Sequence, residues 1–137
     1  MKLHNYEFDL KYKKSVAYFS MDFAIHQALK IYSGGLGFLA GSHMRSAYDL
    51  KQNIVGIGIL WSYGYYDQAR NEEGYLKADF IRKYYSYLKD LGILARVTIC
   101  GKEVLVKAYY LAPNIFNSAP LILLSTDIEE NDYLSRT

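Results

Sequence analysis

The sequence has one cysteine, one tryptophan and no apolar run approaching the ~20 residues needed to cross a bilayer. The single Cys100 excludes an internal disulfide and a multi-cysteine zinc site, and it fits a reducing compartment. The formal charge of +2 is too near neutral for nucleic acid to be the default partner. Basic residues cluster only at Lys11, Lys13, Lys14 and at Arg82, Lys83, the pattern of solvated faces. The stretch Met1 to Lys14 is polar and charged and lacks the apolar centre of a signal peptide. His4, His26 and His43 show no zinc-ligand spacing. Internal repeats and low-complexity segments are missing too. These absences lead us to expect a cytoplasmic protein with no membrane, nucleic-acid or metal partner.

What is present is a globular composition. The chain has 137 residues, 51% hydrophobic and 22% charged, enough for one domain with a core. Fifteen tyrosines are unusual. An apolar ring with a polar tip suits sugars and partner surfaces, and equally suits half-buried strands and helices.

Val16 to Ser20 reads as a short buried strand after a charged lead-in, residues 1–15. A loop, Met21 to Tyr32, carries Asp22, His26 and Gln27. From Leu36 the apolar positions Leu36, Leu39, Ala40, Met44, Ala47 and Leu50 have helical spacing, and Lys51 suits the negative pole of that helix. Ile54 to Leu60 fits a central strand buried on both faces. Residues 16–60 therefore predict a βαβ unit with parallel pairing. Trp61 to Arg70 reads as a hairpin or lid. Leu76, Phe80, Tyr84, Tyr87, Leu88 and Leu91 predict a second amphipathic helix stopped by Gly92. Ala95 to Tyr110 alternates around a Gly101-Lys102 turn, and Leu121 to Leu124 is a further apolar strand.

Ser33-Gly34-Gly35-Leu36-Gly37 stands at the start of the predicted helix. Glycines allow close approach of backbone to a ligand, and the first helical amides point outward unpaired. Such a turn is either an anion site or a tightly packed strand-to-helix connection. It has neither dinucleotide nor P-loop spacing. Asp127 and Asn131 follow a strand end, which is a site position in open sheets or a loop cap. Cys100 has no neighbouring base in sequence, which argues against a nucleophile. His43, within the helix, reads as packed or surface-exposed.

Val16-Ala17-Tyr18-Phe19-Ser20-Met21-Asp22-Phe23, Ile31 to Gly37, Leu39-Ala40-Gly41, the Val55 to Gln68 region, Ala95 to Tyr110 and Leu123 to Asn131 together carry a resemblance. In this order they resemble the N-terminal lobe of the bacterial α-glucan (glycogen/maltodextrin) phosphorylases. The resemblance implies an α/β, Rossmann-like sheet with flanking helices and a β-hairpin excursion, within a two-lobed (GT-B) glycosyltransferase. It implies release of glucose 1-phosphate from α-1,4-glucan by inorganic phosphate. It places Gly34, Gly35 and Leu36 against substrate phosphate and glucose, with Asp22, His26, Ser33 and Asp127 as cleft-lining candidates. It implies pyridoxal phosphate on a lysine of the C-terminal lobe, whereas Lys51, Lys77 and Lys102 read as surface residues.

The chain departs from the family pattern at Asp22 (usually Glu), Gln27 (usually Glu), Lys30 (usually Pro) and Ser42 (usually Asp). Residues 16–137 correspond to part of one lobe. The isolated chain is therefore expected not to perform phosphorolysis, and to self-associate as a homo-oligomer through uncovered apolar surface. Two other readings stay open: a fragment of a nucleotide-sugar glucosyltransferase such as glycogen synthase, and a non-catalytic glucan- or protein-binding remnant.

Overall fold

The computed structural model describes residues 6–136. Its elements are β1 (Val16–Phe19), α1 (Gly35–Asp49), β2 (Ile54–Ile59), β3 (Asp67–Arg70), β4 (Leu76–Asp79), β5 (Lys89–Ile99), β6 (Lys102–Leu111), α2 (Pro113–Phe116) and β7 (Leu121–Ser125), followed by a 3₁₀ turn at Tyr133–Ser135. Five strands form one mixed sheet in the order β1-β2-β7-β6-β5. β1, β2 and β7 run parallel; β6 is antiparallel to β7 and to β5. β3 and β4 form a separate antiparallel hairpin. The chain is thus an α/β domain, and residues 16–60 form the expected strand–helix–strand unit with β1 parallel to β2.

The alternation in β2 explains how α1 docks. Ile54, Gly56 and Gly58 lie on the fully buried face, and Val55, Ile57 and Ile59 on the half-buried one. A Cβ on Gly58 would stand 2.7 Å from the Phe23 ring, and one on Gly56 would stand 3.0 Å from Met44 Cε. Two missing side chains therefore make room for Phe23 and the helix. The helix in turn buries Gly37, Ala40, Gly41, Met44 and Ala47. The loop before α1 supplies Phe23, Ile25, Leu29 and Ile31 to the same core, together with Leu121 and Leu123 of β7.

α1 ends in a Schellman arrangement: the Gln52 amide donates to Ala47 O (2.8 Å) and the Lys51 amide to Tyr48 O (3.0 Å). Lys51 takes a left-handed φ of 51°. The lead-in packs on this end, with Tyr6 Oη donating to Ala47 O at 3.2 Å.

Five expectations are corrected. The strand at Val16–Phe19 is not buried: it stands at the sheet edge, with Val16 and Phe19 exposed. The predicted helix over Leu76 to Leu91 is strand β4, an irregular crossing, and the start of β5. Aromatics form helices weakly, and long-range bonds override their spacing: the Tyr85 hydroxyl accepts from the Lys30 amide (3.2 Å), and Tyr87 Oη donates to Ala28 O (2.9 Å). Gly92 is no helix stop; it takes φ +65° at a register shift inside β5. β2 is fully covered on one face only, because α1 is the one long helix among the described residues. Leu36, Leu39 and Leu50 are exposed, and the small residues Gly37 and Gly41 take the buried stripe instead.

Candidate functional site

The carboxyl ends of β1, β2 and β7 share one edge of the sheet, which is where open α/β sheets bind ligands. The chain stays bonded as it leaves the strands: the Ser20 amide donates to Ile57 O (3.1 Å) and the Leu60 amide to Leu124 O (2.7 Å). Three segments meet here, Ser20–Asp22 after β1, Leu60–Ser62 after β2 and Thr126–Asp127 after β7. The Trp61 indole N–H donates to Met21 O at 3.1 Å and ties the first two together.

The glycine turn divides into two kinds of glycine. A Cβ on Gly37 would lie 2.6 Å from Tyr32 Cβ, and one on Gly41 2.2 Å from Ala24 O, so both are packing glycines. A Cβ on Gly34 or Gly35 would meet nothing within 4 Å. Neither has a positive φ; Gly34, the N-cap of α1, is extended at φ −177°. Any residue adopts that backbone, and Ser or Asp there would cap the helix. Instead no side chain caps α1 and its first turn holds no acid. The Asp22 carboxylate stops one residue short: it accepts from the Ser33 amide (3.3 Å) and hydroxyl (3.4 Å). The amides of Gly35 and Leu36 are left facing outward at the positive end of the helix dipole. Leu36 lines an apolar cleft of about 450 Å³ with Phe19, Ser20, Met21 and Leu124.

Asp127 sits on the same edge. Its Oδ2 accepts from Ser62 Oγ (2.6 Å) and from the Arg82 guanidinium, and its amide donates to Ser125 Oγ (3.1 Å). Nearby, Asp67 joins Lys30 and Lys83 by two ion pairs. Hydrogen bonds from Lys30, then Lys83, hold its carboxyl below the usual carboxylate range. Gly64 lets the hairpin approach here, since a Cβ would stand 2.0 Å from Lys30 O and its φ is +60°. Ser62, Arg82, Met21 and Trp61 escaped the sequence reading. The signal for Trp61 and Ser62 was the aromatic, polar excursion directly after β2; Met21 and Arg82 come from the segments after β1 and β4.

The other candidates lie apart. His26 stacks on Phe116 of α2 (4.4 Å, 5°) and its Nδ1 accepts from the Ala28 amide. His43 is exposed, with its ring 4.9 Å from Tyr18. His4 lies outside the described residues. Asn131 is buried and structural. Cys100 is exposed in the β5–β6 turn. Lys77 pairs with Asp79 and Lys102 with Asp132, while Lys51 follows α1. Lys51, Lys77 and Lys102 are exposed, as surface residues are. Among the described residues no cluster of His, Cys, Asp or Glu is built to hold a metal ion, and no helix is long and apolar enough to cross a membrane.

No protein-family model matches the chain. An uncharacterized protein of Methanocaldococcus jannaschii is 57% identical over 124 residues, covering 90% of this chain and 24% of that protein. The maltodextrin phosphorylase of Thermococcus litoralis is 33% identical over 135 residues, covering 93% of this chain and 16% of that enzyme. The chain resembles part of a phosphorylase. The glycogen phosphorylase of Mycobacterium tuberculosis is likewise 33% identical over 126 residues, 86% of this chain and 14% of the enzyme. The chain thus spans a quarter or less of the length of each of these relatives.

Proposed function

We propose that this chain forms one wall of the cleft of an α-glucan phosphorylase, as part of the N-terminal, Rossmann-like lobe of a GT-B enzyme. The observation that carries this reading is the pair Gly34 and Gly35, glycines that neither the backbone conformation nor the packing of this chain requires. Their missing side chains leave the first amides of α1 open to a tetrahedral anion. Similarity to maltodextrin and glycogen phosphorylases supports phosphate as that anion, rather than the nucleotide sugar of a synthase.

In the proposed reaction an oxygen of inorganic phosphate bonds to C1 of the terminal glucose while the bond from C1 to the neighbouring unit breaks. The leaving oxygen takes the proton that the attacking phosphate gives up, which yields glucose 1-phosphate and a glucan one unit shorter. The amides of Gly35 and Leu36 hold phosphate oxygens while charge moves, and fixed main-chain donors do this without reorganising. Asp22 orients the turn through Ser33. In this reading pyridoxal phosphate is held by a lysine of the C-terminal lobe, as the family resemblance implies. The isolated chain therefore binds without turnover, and its exposed Phe19, Met21 and Leu36 favour self-association.

An amide NMR titration with inorganic phosphate tests this. Shifts at Gly34, Gly35 and Leu36 are expected, with affinity reduced about tenfold or more by Gly35→Ala. Unmoved amides at Gly34–Gly37 would reduce the turn to architecture. Glucose 1-phosphate formed by the isolated chain from maltodextrin and phosphate would refute the division of labour.

A further inference from the structure

The two edges of the sheet differ in kind. β1 is four residues long, while β5 runs for eleven and pairs with β6 alone. Its register against β6 shifts between Asp90 and Leu94, which leaves Leu94–Ile99 as the regular part. There the usual guards of an edge strand are thin. The stretch has no proline and a single charge, Arg96, which is paired with Glu103. Leu94, Val97 and Ile99 are 51%, 40% and 52% exposed.

The turn fixes which backbone groups stay open. Cys100-Gly101 is a two-residue turn, so the closing pair Ile99 and Lys102 exchanges both backbone bonds. Bonded and non-bonded pairs alternate from there. Val97 and Ala95 therefore bond to β6, and the N–H and C=O groups of Thr98, Arg96 and Leu94 face away from it. Among the described residues no other segment takes them up.

A second copy fits this edge in one register. Antiparallel pairing about a two-fold axis normal to the sheet sets the outward-facing residues opposite one another. An axis at Arg96 opposes two guanidiniums, which is unfavourable. An axis at Ala95 runs the strand into the irregularity around Gly92. An axis at Val97 sets Arg96 of each copy opposite Thr98 of the other and brings the two Val97 side chains together as a β-branched pair. Thr98 lies opposite Glu103 in β6, so each Arg96 shares a row with the other copy's Glu103 and the charges complement across the junction. We propose that two copies of this chain pair β5 to β5 about Val97, joining two five-stranded sheets into one. The paired stretch, Leu94–Cys100, is short beside the roughly 20–30 residues a side of a standard interface, so the association is weak and reversible.

The test follows this chain by light scattering and amide hydrogen exchange as its concentration rises from about 10 µM to about 1 mM. The mass is expected to double, and exchange of the Arg96 and Thr98 amides to slow about threefold or more. Association through Phe19, Met21 and Leu36 would leave those two amides as they were. Val97→Lys and Val97→Glu are each expected to be monomeric, because like charges meet at the axis. An equal mixture of the two should restore the dimer, which also shows that both variants fold. A monomer throughout, which would leave this edge to a different strand, overturns the proposal. So does a dimer with unchanged exchange at Arg96 and Thr98, or a mixture that stays monomeric. Phosphate shifts at Gly34–Leu36 report the phosphorylase reading separately, whichever way this test falls.

Discussion

Asn131 pairs with Leu105 as a neighbouring strand would. Its Oδ1 accepts from the Leu105 amide (2.9 Å) and its Nδ2 donates to Leu105 O (2.7 Å) and to Thr126 O (2.7 Å). The last β6–β7 pair is Lys107 with Ser125, so the side chain continues the ladder where β7 stops. Asn131 is 6% exposed. Asn131→Ala is expected to cost about 2–4 kcal/mol, because several backbone groups lose their partner in a buried place. Asn131→Asp should also destabilise, since a carboxylate cannot donate to the two carbonyls. Urea unfolding measures both.

Gly35 and Gly41 should respond to alanine with opposite signs. Gly35→Ala adds a Cβ into open space in the first turn of α1 and should stabilise by about 0.5–1 kcal/mol while weakening phosphate binding. Gly41→Ala drives a Cβ to 2.2 Å from Ala24 O and should cost about 2 kcal/mol or more. Thermal unfolding of the two variants separates a ligand glycine from a packing glycine.

Asp67 clamps the β3–β4 hairpin to the loop before α1 through Lys30 and Lys83. Its depressed pKa means that the ionised form favours the folded state. That contribution is present above the unfolded carboxylate value of about 3.9 and is lost as pH falls through the lower folded value. Asp67→Asn should mimic the acid effect at neutral pH. Faster hydrogen exchange at β3 and β4 amides, with β2 and β7 unaffected, is the expected result.

Tyr87 titrates late. Burial, then the neighbouring Tyr85, pushes its hydroxyl up to about 12. The folded state thus holds this proton more tightly than the unfolded chain. Its contribution is complete below about 10 and disappears as pH rises through about 12. Ultraviolet phenolate titration of wild type against Tyr87→Phe should show one late-ionising tyrosine removed.

Cys100 and Gly101 form the two-residue β5–β6 turn, with φ of 50° and 77°. Two positive φ angles suit a type I′ turn, which favours Asn-Gly. Cys100→Asn is expected to raise stability by about 0.5–1 kcal/mol, measured by denaturant midpoint.

The elements set by local pattern were readable in the sequence. The β-branched run at Ile54–Ile59, the alternation from Ala95 to Tyr110 and the glycine turn each signal their own conformation. The segment Leu76 to Leu91 was not readable, because its apolar spacing fits a helix while its conformation is set by partners such as Lys30 and Ala28, far back in the chain. The site was half legible for the same reason. Gly34 and Gly35 stand next to each other in sequence, but Ser62, Arg82 and Asp127 converge only in three dimensions. His26, near the glycine turn in sequence, is carried by the loop to Phe116.

The order β1-β2-β7-β6-β5 also dictates when the site can exist during folding. β5, β6 and β7 are close in sequence and can zip together early, as can β1, α1 and β2. Gly56 meets Leu121 only after both halves have formed and the long intervening segment has closed, at an entropic cost that grows with its length. Trp61 and Asp127 leave opposite sides of that last seam, so the edge they share should be the final part of the molecule to assemble. The indole fluorescence of Trp61 should accordingly report the slowest refolding phase.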